Sequence, residues 1–477
     1  MGAMPALVHV AKCVHNIYSF IYSFIYLFNA MSLHHDELRR LLAVGPQSAQ
    51  QLIEKTGISQ PTLSRALGRL GDEVVRLGAA RSMQYALRDT MRGVVDIPVY
   101  RVNSEGQIKN LGTLVAVRPQ GFVMRQAGGT TLHSEGLPWW LVDMCPQGFL
   151  GRAYAARHAA ALGLPTRLSD WSDDHALRAL LAHGHDVVGN LLLGDAARDR
   201  FLATPLPAPV AVAQKAEAYR HLALDAADGE LPGSSAGGEQ PKFTVYAETP
   251  AGPRHLLVKF SEAQDSPVSE RWRDLLLAEH LALETLRAAN ILAAQTAVFD
   301  HHGQRFLEVE RFDRVGSLGR RALHSLAALD AEFVGAGTGG WPQIAGRLAD
   351  AGQIEPQAAQ GAAVLWAFGT LIGNTDMHNG NVSFMAEHGR PYALAPAYDM
   401  TTMAFAPRSG GGLPVRIATP NIVADVPNDI WRRAAVLGRE FLVRVRASNG
   451  FSPRFDACSD ALENHLNVAS AAIARLA

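Results

Sequence analysis

The feature that most restricts this chain is the passage from an apolar run, Val364–Ile372, straight into Gly373-Asn374-Thr375-Asp376-Met377-His378-Asn379-Gly380-Asn381. The run reads as a buried helix, and so many polar groups placed directly after it are costly unless they serve a purpose. Asp376 is positioned to orient and deprotonate a hydroxyl, while Asn381 and the Asp399 of Tyr398-Asp399 offer oxygen ligands suited to Mg²⁺. An Asp-x-x-x-x-Asn spacing before a later Asp is the economy of a phosphoryl-transfer loop. His378, inside the loop, is placed to touch a phosphate or to fix the loop's shape. The plain alternative is an Asx-rich turn without chemistry.

Three upstream segments stand in the order such a loop needs. Gly233–Phe243 is rich in small residues, so that backbone N–H groups of Ser234, Ser235, Ala236, Gly237 and Gly238 can approach phosphate oxygens, with Lys242 as a nearby cation. His255–Phe260 reads as an apolar strand whose Lys259 points its ammonium into a cleft, and Glu279, on the helical stretch Leu275–Leu286, is a candidate partner for it. Leu307–Arg314 reads as a strand ending in charge, with the backbone from Glu308 through Glu310 to Phe312 facing an adenine edge. Each of the three is weak alone: a Gly/Ser turn, a solvated lysine and a surface ion-pair cluster are the plain alternatives.

The N-terminal part has a different rhythm. His35–Val44 carries leucines at helical spacing and stops at Gly45-Pro46; Ser48 caps a second helix that Gly57 ends; Ser59 caps a third, with Pro61 in its first turn and Leu63, Leu67 and Leu70 on one face. Val74–Leu87 completes the pattern as a two-stranded wing. In a helix-turn-helix the third helix enters the major groove by its N-terminal end, which turns Gln60, Thr62, Ser64 and Arg65 toward DNA and leaves Arg69, Arg76 and Arg81 for phosphates. Residues 31–90 hold eight Lys/Arg against six Asp/Glu, so this patch is only weakly basic, and a three-helix protein-interaction module is the rival reading.

Composition bounds the rest. With 477 residues the chain needs several cores, and its net charge of −1 excludes a whole-chain polyanion binder. Cys13, Cys145 and Cys458 have no CxxC spacing and fit a reducing cytoplasm. Ile17–Phe28 nearly repeats a tetrapeptide three times but is too short to span a bilayer as a helix, which takes about 20 residues. The expected reading is that translation starts at Met31 and residues 1–30 are a leader; a membrane or signal role is the alternative. Gly335–Gly340 lacks the Lys-Ser/Thr of a phosphate loop and reads as a flexible loop, and the His301-His302 and His34-His35 pairs read as surface residues. The expected domains are 31–92, a mixed α/β subdomain 95–205, the remainder of an N-lobe 206–320, and a helical C-lobe 321–477.

In order and separation the four segments resemble the HipA family of serine/threonine kinases, the toxin halves of bacterial toxin–antitoxin pairs, over about residues 95–440. The Asn-Thr-Asp-Met-His-Asn-Gly-Asn and Tyr-Asp-Met motifs are the most specific part, and the fused N-terminal module is similar to the YjjJ-like subgroup. The resemblance implies an α+β fold: a two-lobed, protein-kinase-like HipA architecture with a mainly helical C-lobe, preceded by a winged helix-turn-helix. It implies Asp376 as catalytic base, Asn381 and Asp399 as Mg²⁺ ligands, Lys259 on ATP phosphates, His378 and Tyr398 at the nucleotide, and autophosphorylation at Ser235, with Ser234 its immediate neighbour. The implied partners are a protein substrate such as an aminoacyl-tRNA synthetase, DNA through residues 31–92, and no membrane; the oligomeric state stays open, a dimer included. The fusion departs from the family's usual separate DNA-binding antitoxin. The rivals are a transcriptional regulator whose kinase-like part senses nucleotide, and a small-molecule kinase.

Overall fold

The computed structural model describes residues 34–79, 82–93, 96–227, 240–337, 339–387 and 389–476. Residues 1–33, on which the expected leader falls, Arg81 and the Ser234–Gly238 segment lie outside the described residues. The chain divides into two compact units: residues up to Val99 with Asn110–Pro138, and Tyr100–Lys109 with Trp139–Ala477. Among the described residues no helix is long and apolar enough to cross a membrane.

In the first unit, helix α1 (residues 34–42) ends before the expected Val44, because Gly45 turns the chain at φ 140° ahead of Pro46. Helix α2 (Ala49–Thr56) opens with a reciprocal cap: the Ser48 hydroxyl accepts from the Gln51 N–H at 3.2 Å, and the Gln51 side chain accepts from the Ser48 N–H at 2.8 Å. Gly57 closes it in the left-handed region. Helix α3 (Gln60–Leu70) has Pro61 in its first turn, but Ser59 departs from the expected cap: its hydroxyl meets the Thr62 hydroxyl at 3.0 Å and caps no backbone N–H. Leu38, Leu42, Leu52, Leu63, Leu67 and Leu70 converge into one small core, which is what their helical spacing dictates. The strands Val74–Leu77 and Gln84–Leu87 pair antiparallel, and Val75, Leu77 and Ala86 pack on Val115, Val117 and Val123 of a second antiparallel pairing, Gly112–Val117 with Gly121–Gln126.

The second unit begins with helices α4 (Gly148–Leu162), α5 (Asp173–His183), α6 (Gly194–Ala203) and α7 (Lys215–Ala227). A four-stranded antiparallel sheet follows, in the order Thr296–His301, Gln304–Glu310, Gly252–Phe260, Lys242–Thr249. Helix α8 (Pro267–Ala288) is inserted between the second and third of these in chain order, and is buried on both sides: Leu276 packs with Leu307 and Val309 of the sheet, while Leu275, Ala278 and Leu281 join the helical core.

That core is built by α9 (Leu326–Phe333), α10 (Trp341–Asp350), α11 (Pro356–Leu371), α12 (Asn428–Ala447) and α13 (Asp456–Ile473), with a small sheet of Ala322–Ser325, Ser383–Ala386 and Ala393–Leu394 at its border. The apolar approach to the loop is α11, and its Phe368 is fully buried edge-on to Phe441 of α12. Removing that ring leaves a cavity: Phe368→Ala is expected to cost about 3–5 kcal/mol, whereas Val436→Ala on the exposed face of α12 stays within about 0.5 kcal/mol. Urea melts of the full-length variants check this; equal midpoints would contradict the packing described.

Candidate active site

Strand Gly252–Phe260 alternates as a pleated strand must. Leu256, Val258 and Phe260 enter a core with Tyr219 and Phe306, while Leu257 and Lys259 turn to the other face, where they line a cavity of about 240 Å³. Val309, Phe312 and Leu323 add to its apolar lining, and Asp143, Ser383, Tyr398 and Asp399 are among its polar walls.

Lys259 is the centre of the site. Its Nζ lies 2.7 and 2.8 Å from the two Glu279 carboxylate oxygens and also pairs with Asp399. Glu279 arrives from the middle of α8, and both Lys259 and Glu279 are buried. Burial opposes the charge on Lys259, but the carboxylates of Asp399 and Glu279 outweigh it and hold the ammonium well above its ordinary range. Burial likewise pushes the Asp399 carboxyl up; Lys259 and then Lys242 outweigh it, and the net shift is downward. At Glu279 burial prevails over Lys259 and the shift is upward. Lys242 reaches this cluster because it stands directly across from Lys259 in the sheet register.

The loop after α11 is fastened from several sides. Buried Asn374 accepts the Asp376 N–H at 3.0 Å and donates to the Asp399 carbonyl at 3.3 Å, tying the two acidic residues together. The Asn381 amide donates to the Asp376 carbonyl at 2.8 Å, and the Gly380 N–H donates to His378 Nδ1 at 3.1 Å. Trp341 Nε1 donates to the His378 carbonyl, and the Ala327 N–H to the Asn379 carbonyl. Asp376 and His378 are left exposed. Asp399 sits at φ 51°, a left-handed conformation that non-glycine residues adopt at a cost and that clusters at functional sites. Gly369 of α11 leaves the room that Met377 fills; a Cβ there would collide with the Met377 sulfur.

The structure brings together Lys259, Glu310, Phe312, Tyr398 and Asp399 around the cavity, with Gly380 of the loop as part of its wall. The Tyr398 hydroxyl donates to the Gly380 carbonyl at 2.8 Å and lies 2.7 Å from the Ser383 hydroxyl, and its ring packs 5.8 Å from that of Phe312. Burial pushes the Tyr398 hydroxyl well above its ordinary range. Ser234, Ser235, Ala236, Gly237 and Gly238 fall outside the described residues. Sequence reasoning missed Asp143 and Ser383; an acidic residue inside the apolar stretch Trp139–Met144 was the one available sign of the former. The described residues of Gly335–Gly340 lie outside any helix or strand, and the Asp330 carboxylate already accepts the Ala336 and Gly337 N–H groups at 2.9 and 2.8 Å. On α3 in the first unit, Gln60, Ser64, Arg65 and Arg69 are exposed on one face and Thr62 is half-buried.

A buried cation shared by two carboxylates thus lies beside an apolar cavity, with an acid-bearing loop fastened to one of them. Residues 94–202 match the family described as YjjJ-like toxin, middle domain, and residues 234–462 match the HipA-like C-terminal domain. The chain is 41% identical over 421 residues to Toxin YjjJ of Escherichia coli (strain K12), covering 88% of this chain and 94% of that one. It therefore belongs to the HipA family of toxins, in its YjjJ-like branch. Among solved structures it is similar to a chain of the Shewanella oneidensis MR-1 toxin–antitoxin complex of HipA, HipB and operator DNA, with 17% identity, a TM-score of 0.46 and coverage of 80% of this chain and 97% of that chain. The Helicobacter pylori proinflammatory kinase CtkA follows with 14% identity, a TM-score of 0.37 and coverage of 52% and 96%.

The triad has a pH signature. In Lys259→Met, Glu279 stays buried without its cation, so its folded pKa rises further above the unfolded value of about 4.3. A raised carboxyl pKa means that the folded state binds the proton more tightly, so the variant gains stability as pH falls. Its melting temperature should rise by several degrees from about pH 8 to about pH 5, more steeply than that of the wild type, in which Lys259 restrains the upward shift of Glu279. Parallel profiles for the two proteins would show that Glu279 does not depend on Lys259.

Proposed function

We propose that this chain is an ATP-dependent serine/threonine protein kinase of the HipA toxin type, acting in the cytoplasm with Mg²⁺. The observation that carries the reading is the Lys259 ammonium held between Glu279 and Asp399 at the wall of an apolar cavity, next to the Asp376–Asn381 loop. The adenine fits the apolar lining of Leu257, Val309 and Phe312, with its edge toward the Glu310–Phe312 backbone. Lys259 supports the phosphates, and Glu279 holds it in place for that work. Asp376 takes the proton of a substrate Ser or Thr hydroxyl as its oxygen bonds to the γ-phosphorus; the bond to the bridging oxygen breaks and ADP leaves.

The residues present fit a magnesium ion. Asp399 supplies a carboxylate and Asn381 an amide oxygen, because its amide nitrogen is already committed to the Asp376 carbonyl; magnesium takes few protein ligands besides substrate phosphates. When bound, the ion would neutralise phosphate charge. Asp399 must then loosen from Lys259, which also leaves that lysine free for phosphate.

By family resemblance the substrate is a translation component such as an aminoacyl-tRNA synthetase, with autophosphorylation at Ser235. Residues 31–92 serve as a winged helix-turn-helix that binds DNA through Gln60, Thr62, Ser64, Arg65 and Arg69, a reading supported by the exposed face of α3.

Incubation of the purified chain with labelled ATP and a cell lysate tests the central reading: labelled protein supports it, whereas labelled metabolite or no label overturns it. Asp376→Asn removes the base while retaining size, so phosphoryl transfer should fall about 10²–10⁴-fold with nucleotide binding intact. Asp399→Asn and Lys259→Ala should instead weaken Mg·ATP binding. Retention of near wild-type transfer by Asp376→Asn is incompatible with the mechanism. For DNA, Arg65→Ala should weaken or relax binding to the chain's own promoter region, and Arg69→Ala should lower the slope of log affinity against log salt by about 1. A wild-type chain without preference over random duplex speaks for the interaction-module alternative.

A further inference from the structure

We propose that Asp143 is the sugar-recognition residue of the nucleotide cleft, its carboxylate accepting hydrogen bonds from the ribose hydroxyls; the proposal rests on the kinase reading above. Asp143 belongs to the short 3₁₀ turn Trp139–Met144, within the residues matched to the middle domain and outside those matched to the HipA-like C-terminal domain. It nonetheless lines the same cavity as Lys259 and Phe312.

One of its oxygens is used by the fold. Oδ2 accepts the Ser325 N–H at 2.7 Å, where the strand Ala322–Ser325 passes into α9. Among the described residues it forms no ion pair with Lys or Arg, and burial pushes its carboxyl up. A partly buried carboxylate held by Ser325 alone, through its backbone and side chain, and facing no cation is a poor structural element, because its remaining lone pairs lose water without gaining a partner. Donors from a ligand would remove that deficit.

The parts of a nucleotide differ in what they can offer such a group. Its phosphates carry negative charge, which a carboxylate repels and which Lys259 and Lys242 attract. Its base is served by the apolar side chains and by the Glu310–Phe312 backbone. The sugar presents two adjacent O–H donors, and an ionised carboxylate is an acceptor-only group that takes two donors well. The place agrees with the chemistry. Ser325, which Asp143 holds, stands across from Ser383 in the small sheet, and the Ser383 hydroxyl meets Tyr398, the neighbour of Asp399. Asp143 is thus on the wall formed by that small sheet, whereas Lys259 projects from the larger one, and the sugar of a nucleotide bridging base and phosphate sites passes between these walls.

The test is displacement of a fluorescent nucleotide from the full-length chain by Mg complexes of ATP, 2′,3′-dideoxy-ATP and ITP. Wild type should prefer ATP over the dideoxy nucleotide by about tenfold or more, the loss expected for hydrogen bonds to a charged group. Asp143→Ala should bring that ratio close to one while leaving dideoxy-ATP affinity unchanged. Asp143→Asn keeps an oxygen for the Ser325 N–H and should fall between, which separates sugar recognition from damage to the wall. The ATP-to-ITP ratio, which reports the base edge, should stay constant in all three. Parallel loss of ATP and dideoxy-ATP in both variants, or a changed ATP-to-ITP ratio, overturns the assignment. A wild type that binds ATP without discriminating the sugar overturns it alone, and a wild type that binds no nucleotide overturns the kinase reading with it.

Discussion

The second unit depends on a single unbalanced arrangement: one buried ammonium facing a buried carboxylate, Glu279, and a partly buried one, Asp399. Lys259 comes from the sheet, Glu279 from α8 and Asp399 from the segment after the polar loop, so the ion pairs fasten three separate stretches of chain at one point. Charges in a dry interior are expensive to place and more expensive to strand, since losing one partner leaves the others uncompensated. The register that sets Lys242 opposite Lys259 eases the excess negative charge without burying a second ion pair beside the first.

Around that point, the polar loop is held from several sides. The loop bearing Asp376 is secured by Asn374, Asn381, Trp341 and the N-terminus of α9, while Asp376 and His378 themselves remain exposed. The side-chain amides of Asn374 and Asn381 and the indole N–H of Trp341 hold the loop. The left-handed backbone at Asp399 belongs to the same economy: a conformation disfavoured locally is kept because Asn374 and the Lys259 pair fix both its carbonyl and its side chain.

The legible parts of the sequence share a local cause. The cap at Ser48, the closing Gly57, the leucine stripe of α3 and the apolar strand that carries Lys259 all follow from neighbours a few residues apart, and the structure agrees with each. Local reasoning erred where two local options compete. The Ser59 hydroxyl takes the Thr62 hydroxyl and caps no backbone group, and α1 stops short because the chain turns before its apolar pattern ends. Glu279 was within reach as a partner for Lys259, since its helix could be drawn from the sequence, but its burial could not.

What the sequence by itself determined is the inventory of the site: a lysine on an apolar strand, an acid-bearing loop behind a buried helix, a later Tyr-Asp, and an exposed polar face on α3. Periodicity and spacing carry that information because strands repeat every two residues and helices every 3.6. Tertiary structure alone decided who meets whom. Asp143 stands more than a hundred residues before the strand it caps, at Ser325, and nothing in either stretch names the other. The ion pair of Lys259 with Asp399 spans a separation of 140 residues. Such pairings depend on the packing of α8 and the two sheets around a common cavity, and packing is a property of the whole chain that no local pattern encodes.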